Sequence, residues 1–376
     1  MKKTQLFILI GLAILLGAVG ILFESQRSAG WSSVKIDRRV LSDLPINKIS
    51  KMKMQAANTS VTLEKKNQVW SVAERNNYPA DFQKIRDLTK TLWELKAVQE
   101  MEVGPSQFPR LKIVAPGSGE NSGTEIQLLD DQDKALGSLI VGKSIAQGEG
   151  AGYGGRFIFN PATKDRVYLV SERFTNIDPL TVGPWLNQTF IQLGALKEID
   201  QRAWANNPGW KISRENDTAP WGLEGAAPDE KLDPAFEGSV GTFSPNFQDV
   251  LSGSTPPTET GFQNPFQIKL KTFDGFDYSI ALGKESPEKA RYFQVKVSAD
   301  FPVTRTPEPN ETPEEKQKKD KEFDQKIANL KERLEKEKRF EQWIYLVPAY
   351  SVESILKRRD EIIVKPTPVK PPASAK

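Results

Sequence analysis

A short glycine-rich stretch carries the spacing most suggestive of chemistry. Gly150, Gly152 and Gly155 satisfy G-x-G-x-x-G, which binds a pyrophosphate when it joins a strand to a helix N-terminus. In this chain the glycines lead into RFIFN, an apolar run that predicts a strand. Because the helix end that would bind the phosphates is missing, we interpret this stretch as a hairpin tip.

An acidic stretch precedes the glycines. Asp130, Asp131 and Asp133 are spaced like the first ligands of an EF-hand loop, whose oxygens bind calcium. The loop lacks the glycine at its sixth position and the glutamate that closes it. The three residues therefore favour a turn, and weak surface binding of a cation is the alternative.

Tryptophans are a third group with possible binding chemistry, because an exposed indole can stack on a sugar ring. Aromatic side chains at the starts of strands and helices usually belong to a core. A carbohydrate site is the alternative for the following residues: Trp185, Trp204, Trp210 and Trp221.

The composition excludes several classes of enzyme. The chain has no cysteine and no histidine, which removes thiolate nucleophiles, the commonest zinc ligands and every triad with an imidazole base. We predict a protein that is not an enzyme, without cofactor or metal site; catalysis by carboxylates alone is the remaining enzymatic alternative. With 52 Lys plus Arg against 49 Asp plus Glu and no basic stripe, nucleic acid is not a predicted partner.

Any such site needs a scaffold, and residues 61–95 contain its clearest pattern. Apolar and polar residues alternate over residues 61–65, residues 66–68 are polar, and an extended run resumes at Val69. This pattern predicts a hairpin. Asp81 then predicts a helix N-cap. Apolar residues follow it at three- and four-residue steps: Phe82, Ile85, Leu88, Leu92 and Leu95.

The rest of the first half predicts more strands and one more helix. Ile126 and Leu139 lie in two alternating runs that predict a hairpin, and residues 156–159 and 167–170 predict two strands. A helix is predicted over residues 178–193.

The second half repeats landmarks of the first. Trp210 follows the pattern of Trp70, and Ile268 follows that of Ile126, with 58 residues between the later pair and 56 between the earlier pair. Two copies of one α+β unit explain this spacing, although strand propensity alone is the alternative. We therefore predict an α+β fold with two related domains, each an antiparallel sheet packed with helices.

A charged insert interrupts the second copy over residues 301–340. Its helical part carries an apolar seam that predicts either a docking surface for a partner or an arm packed on its own domain. The seam residues are Phe323, Ile327, Leu330 and Leu334. Two further helices are predicted over residues 246–251 and 351–363.

The front of the chain predicts a membrane anchor. Residues 6–23 contain no charge, and as a helix these 18 residues are just long enough to cross a bilayer. Lys2 and Lys3 precede them, which favours residues 1–5 in the cytoplasm and the bulk of the chain on the periplasmic side. A cleaved signal peptide is the alternative.

These observations predict an order of segments along the chain. A stalk over residues 24–34 follows the anchor. Two domains then occupy residues 35–194 and 195–363, and residues 364–376 form a Pro- and Lys-rich disordered tail.

Several of these segments resemble the bacterial family catalogued as domain of unknown function 4340 (DUF4340). They are the lysine-rich turn before Trp70, the YPAD entry to the helix at residues 78–81, and the VYLV strand at residues 167–170. The resemblance covers residues 35–200 well and the second half more loosely. It implies a single-pass extracytoplasmic α+β protein of the bacterial inner membrane.

The resemblance also implies a role. Members are similar to auxiliary components of ABC-2-type export systems of the gliding-motility kind, so the implied partners are permease and ATPase subunits. It implies no catalytic residues. We therefore expect an accessory binding subunit of an exporter, with a cell-envelope glycan or peptidoglycan binding module as the alternative.

Overall fold

The chain divides into two compact units, Met1–Asn187 and Gln188–Lys376. The predicted anchor at residues 6–23 lies outside the part of the chain that the structure describes, as do residues 1–5, nearly all of the predicted stalk and nearly all of the tail. Among the described residues, no helix is both long enough and apolar enough to cross a membrane. This computed structural model describes residues 34–117, 121–146, 153–164, 166–204 and 207–364.

The described residues of the first unit form mainly strands. The strands are β1 Val34–Arg39, β2 Lys51–Gln55, β3 Ser60–Lys66, β4 Val69–Val72, β5 Tyr78–Pro79, β6 Lys96–Glu102, β7 Thr124–Leu129, β8 Ala135–Ala146, β9 Tyr153–Phe159 and β10 Arg166–Val170. The helices are α1 Phe82–Glu94 and α2 Phe108–Leu111, with short 3-10 turns between elements.

Within the described part of the first unit, these strands form one sheet in the order β1-β6-β10-β9-β8-β7-β2-β3-β4-β5. The neighbouring strands are antiparallel throughout, as the sequence predicted. The β3–β4 hairpin turns at Asn67 and Gln68, which have φ values of 50° and 66°. Two left-handed residues in a two-residue loop match the right-handed twist of the strands, so this turn fixes the register of the hairpin.

Helix α1 confirms the predicted cap and most of the predicted apolar stripe. The Asp81 carboxylate accepts hydrogen bonds from the backbone N–H groups of Gln83 and Lys84, at 3.0 and 3.3 Å. The side chains of Ile85, Leu88, Leu92 and Leu95 are buried. Phe82 is 58% exposed, so its place in the stripe was wrong.

The described part of the second unit also contains ten strands. They are β11 Leu196–Gln201, β12 Trp210–Ser213, β13 Gly222–Leu223, β14 Lys231–Leu232, β15 Asp249–Ser252, β16 Phe266–Thr272, β17 Phe276–Glu285, β18 Ala290–Ala299, β19 Trp343–Pro348 and β20 Ile363–Val364. The helices are α3 Pro234–Gly241, α4 Pro257–Thr260, α5 Pro313–Lys338 and α6 Glu353–Leu356.

The main sheet of the second unit has the order β13-β12-β11-β16-β17-β18-β19-β15 among its described residues. Read in reverse, the first sheet contains the order β4-β3-β2-β7-β8-β9-β10-β6, which matches the second sheet strand for strand. In both units a helix, α1 or α3, stands in the chain between the third and fourth of these strands. Both units therefore use the same strand order.

The shared strand order agrees with one of the two predicted pairs of equivalent residues and disagrees with the other. Ile126 lies in β7 and Ile268 in β16, which occupy equivalent positions in the two sheets. Trp70 lies in β4, the third strand of its set, whereas Trp210 lies in β12, the second strand of its set. The predicted equivalence of the two tryptophans was therefore wrong. An aromatic residue near the start of a strand is common wherever a strand enters a core, so this feature does not identify equivalent strands.

Three predicted helices were also wrong. Residues 178–193 contain only a 3-10 turn, Gly183–Trp185, within irregular backbone. Residues 249–251 of the predicted segment 246–251 belong to β15. Residues 351–363 consist of 3-10 turns around α6, followed by the start of β20.

Candidate functional site

Helix α5 contains the residues predicted to dock a partner and is held at its N-terminal end by ion pairs. Arg305, in the segment before the helix, contacts Glu311 at 2.6 Å and Asp320 at 2.9 Å. Lys319 adds a pair with Glu308 at 2.7 Å. Thr312 caps the helix in a capping box. The first two turns are therefore fixed to the preceding segment.

A second polar cluster holds the C-terminal end of α5 to its own sheet. The Arg333 guanidinium donates to Glu337 at 2.8 Å, to Asp274 at 2.8 Å and to the Tyr278 hydroxyl at 2.8 Å. It also lies over the ring of Phe276, 4.0 Å from the centroid. Since β17 contributes Phe276 and Tyr278, this cluster joins α5 to the sheet.

Glu337 is the most enclosed member of this cluster, with only 3% of the residue exposed. Its carboxylate also accepts a hydrogen bond from the Tyr278 hydroxyl at 2.8 Å. Burial, followed by the nearby Glu337 carboxylate, raises the pKa of Tyr278 well above its ordinary value. The phenol therefore stays neutral and serves as a donor, which suits a structural role better than a catalytic one.

The apolar seam of α5 runs along the helix from the Arg305 cluster to the Arg333 cluster. We call these two clusters the clamps of the helix. The helix contacts β18 of its own sheet. All four seam residues keep part of their surface accessible: Phe323, Ile327, Leu330 and Leu334 are half-buried. The structure therefore places the predicted docking residues on a helix that is held at both ends and only partly covered along its apolar side.

The tryptophans have different environments. Trp185, Trp210 and Trp221 are at most 9% exposed and belong to cores. Trp204 is 41% exposed. It lines a cavity of about 500 Å³ in the second unit. Of the four candidates for sugar stacking, only Trp204 is accessible.

We call this cavity the Trp204 pocket. Its lining combines apolar, amide and cationic side chains. Its lining includes Trp204, Asn264, Phe266, Lys284, Arg291 and Arg358. No Asp or Glu belongs to its described lining.

A buried hydrogen-bond network positions one wall of the Trp204 pocket. Gln201 is 2% exposed, and its amide donates to the carbonyl oxygens of Ile355 and Lys357. The indole N–H of Trp210 also donates to the Lys357 carbonyl, at 2.7 Å. These contacts hold the chain on either side of Leu356, so that Leu356 and Arg358 reach the pocket.

Close backbone packing forms another wall. A Cβ on Gly261, which has φ +82°, would lie 2.6 Å from the backbone nitrogen of Lys284. A Cβ on Gly283 would collide with the carbonyl oxygen of Thr260. Only glycine allows this approach. The α4 loop is thereby held against β17 at the pocket rim.

The cationic side of the pocket comes from two neighbouring strands. Arg291 donates to the Gly283 carbonyl at 3.2 Å and lies 3.9 Å from the Glu285 carboxylate. Arg358 pairs with Asp360 at 2.9 Å. Lys284 is exposed, near the end of β17. Arg291 and Lys284 are therefore the cations with the most capacity for another anion.

A larger cavity, about 860 Å³, lies in the first unit. Arg110 and Lys143 line it together with apolar residues such as Met101 and Phe157. It adjoins the end of the β8–β9 hairpin, whose connection at residues 147–152 is outside the described residues. We therefore assign no site to it.

The two motifs of the first half have structural roles where they are described. Asp130 accepts hydrogen bonds from the backbone N–H groups of Gln132 and Lys134, and Asp133 pairs with Lys51 at 2.6 Å. These contacts make a turn. Gly155 lies within β9 and leads to no helix. Among the residues the structure describes, no cluster of acidic residues could hold a metal ion.

Sequence reasoning missed Lys284 and Arg291. Both follow strand patterns whose cations are usually solvated, and they lie on different strands, β17 and β18. Their proximity depends on the register that pairs Glu285 with Arg291.

The comparison with curated proteins and the comparison with solved structures each gave no significant match. The sequence model of the family described as Domain of unknown function (DUF4340) matches residues 70–265. The matched region covers more than half of the chain and includes parts of both units. The chain therefore belongs to the DUF4340 family.

Proposed function

We propose that this protein is a non-catalytic accessory subunit of an ABC-2-type export system. In this proposal residues 6–23 anchor it in the bacterial inner membrane, and both units lie on the periplasmic side. The protein acts by binding the permease or ATPase subunits of the exporter, directly or through the membrane-embedded part of the complex.

The observation that carries the proposal is the state of helix α5. Ion-pair clusters at Arg305 and Arg333 fix the two ends of a 26-residue helix, while its apolar seam stays half-buried. Preordering a helix before binding removes part of the entropy cost of association. An apolar stripe on such a helix is a common recognition surface for a partner helix or groove.

Photocrosslinking in cells tests this docking role. A photoreactive amino acid is placed at Ile327, on the seam, and at Asn329, which is exposed and lies on the other side of the helix. We expect crosslinks to an exporter subunit from position 327 and none from position 329. After solubilisation in mild detergent, a tag on the tail is used to purify the crosslinked complex. Mass spectrometry then identifies the partner.

The two positions also define the result that would refute the proposal. Both variants keep the clamps at Arg305 and Arg333, so loss of folding does not explain a negative result. If neither position crosslinks to a permease or ATPase, and the tagged full-length protein also recovers neither subunit, the accessory role is wrong.

A second candidate function is a cell-envelope glycan or peptidoglycan binding module. The exposed indole of Trp204 in a cavity of about 500 Å³ supports it, because sugar sites commonly place a ring against an aromatic wall. The other three candidate tryptophans are buried, so among the four candidates only Trp204 offers a ring to a sugar.

A further inference from the structure

We propose that the Trp204 pocket binds an anionic saccharide, with Trp204 as the stacking wall and with Arg291 and Lys284 binding the negative group. This inference gives a ligand class to the second candidate function and rests on it. It does not depend on docking through α5.

The size of the pocket suits a small sugar. A cavity of about 500 Å³ lies within the usual range of roughly 300–1,000 Å³ for small-molecule sites. The apolar residues Phe266, Leu282 and Leu356 belong to the lining, and so do the polar residues Asn207 and Asn264. The pocket is therefore amphipathic, as a sugar ring is.

Trp204 is held in one orientation before any ligand binds. Its indole N–H donates to the backbone carbonyl of Asn264 at 3.2 Å. Its ring packs edge-on against Phe266, with 6.1 Å between centroids and 72° between planes. The backbone groups of Trp204 and Asn207 exchange two hydrogen bonds of 2.9 Å. A fixed indole that is 41% exposed can support a sugar ring with little loss of side-chain entropy.

The charge of the pocket selects among sugars. Arg291, Lys284 and Arg358 line it, and no Asp or Glu belongs to its described lining. Arg291 is the best placed for a carboxylate because its planar guanidinium can form two parallel hydrogen bonds. The nearest carboxylate, that of Glu285, is 3.9 Å away, so this pair is loose.

A neutral sugar has no group that can form an ion pair with these cations. A carboxylate or phosphate on the ring would gain charge-assisted hydrogen bonds, each of which raises the affinity roughly tenfold to a hundredfold. The same ring without its acidic group should therefore bind clearly more weakly.

Two sugars that differ in one acidic group test the inference directly. N-acetylmuramic acid carries the ring of N-acetylglucosamine with an added lactyl carboxylate. Isothermal titration of the detergent-solubilised full-length protein measures both affinities. We expect the acid to bind at least about tenfold tighter, which corresponds to about 1.4 kcal/mol.

Variants assign the preference to the pocket. Arg291→Gln should reduce the preference for the acid about tenfold, and Lys284→Gln should reduce it less, because a lysine lacks the bidentate geometry. Trp204→Ala should weaken binding of both sugars. Lys296→Gln is the matched control, because Lys296 is exposed on the same strand as Arg291 but does not line the pocket.

Each result has a separate meaning. Equal affinity for the two sugars in the wild-type protein would overturn the inference and leave a glycan-binding module intact. Binding of neither sugar would overturn both the inference and the glycan-binding function, while the role of α5 would still be decided by crosslinking.

If Arg291→Gln misfolds, as circular dichroism would show, the exposed Lys284→Gln variant decides the assignment. An unchanged preference in that variant would then refute it.

Discussion

Arg333 makes the most consequential side-chain contacts of the second unit. Its guanidinium satisfies Glu337, Asp274 and the Tyr278 hydroxyl together. Glu337 is 3% exposed, so its carboxylate depends on these partners rather than on water for its hydrogen bonds. Removing the arginine would leave a buried carboxylate without its cation.

We predict that Arg333→Met lowers the free energy of unfolding of the second unit by about 3 kcal/mol, the usual cost of breaking a buried pair from one side. Hydrogen exchange across a urea series, followed in peptides from α5 and β17, measures the change. Lys336→Met is the control, because its pair with Glu332 is exposed and contributes little to stability.

A double variant tests the physical reason. Adding Glu337→Met to Arg333→Met removes the buried charge and should recover part of the lost stability. If the double variant is less stable than Arg333→Met, the unpaired carboxylate is not the source of the loss.

Single residues also show the limit of sequence reasoning. Asp81 was correctly predicted as a cap because capping depends on its own neighbours in the chain. Trp204 and Trp210 could not be separated, because their burial depends on strands and loops far along the chain. Lys284 and Arg291 were missed for the same reason.

At the scale of elements, α5 has a pH-sensitive N-terminal clamp. Hydrogen bonds from the Arg305 guanidinium and from the Glu308 backbone N–H lower the pKa of Glu311 from its ordinary value of 4.5 to about 2. The folded state therefore favours the ionised carboxylate. The stabilisation is complete above about pH 4.5 and is lost as the pH falls toward 2.

We predict that the first turns of α5 lose protection as the pH falls from 4.5 to 2. Hydrogen exchange of residues 305–320, corrected for the intrinsic exchange rate at each pH, measures this loss. Glu311→Gln should show the loss already at pH 6, with a weaker pH dependence. Glu314→Gln, on an exposed residue in the first turn of α5, should behave as the wild type does. A matching change in both variants would contradict the role of Glu311.

The elements that were predicted correctly carry their pattern locally. The β3–β4 hairpin and α1 have their turn residues, their cap and their apolar period within a few residues. The wrong helices are set by distant partners. The backbone of Trp185 accepts from the Asp81 N–H, and the carbonyl of Lys357 accepts from Gln201 and Trp210. Such contacts override local propensity.

At the scale of the whole molecule, the shared strand order supports a proposal of internal duplication. Eight strands of each sheet follow the same order, with α1 and α3 at the same point of the chain. Similar strand propensity does not by itself produce a common order of eight strands. We propose that the two units descend from one ancestral unit and that the insert with α5 is specific to the second.

The proposed topology gives a prediction for the intact cell. If residues 6–23 are an uncleaved anchor, protease added to spheroplasts should digest both units, and alkaline extraction should leave the untreated protein in the membrane fraction. A cytoplasmic marker protein controls for lysis. Protection of the two units from protease would overturn the periplasmic location, and mature protein found free in the periplasm would overturn the anchor.

The segment that contains α5 also affects how the second unit folds. Residues 160–165 join β9 to β10, whereas residues 300–342 separate β18 from the equivalent β19. Closing the longer loop costs about 2 kcal/mol more in chain entropy. We therefore expect β9 to pair with β10 earlier in folding than β18 pairs with β19. As the chain is synthesised, the first unit gains its complete sheet while the second still lacks β19.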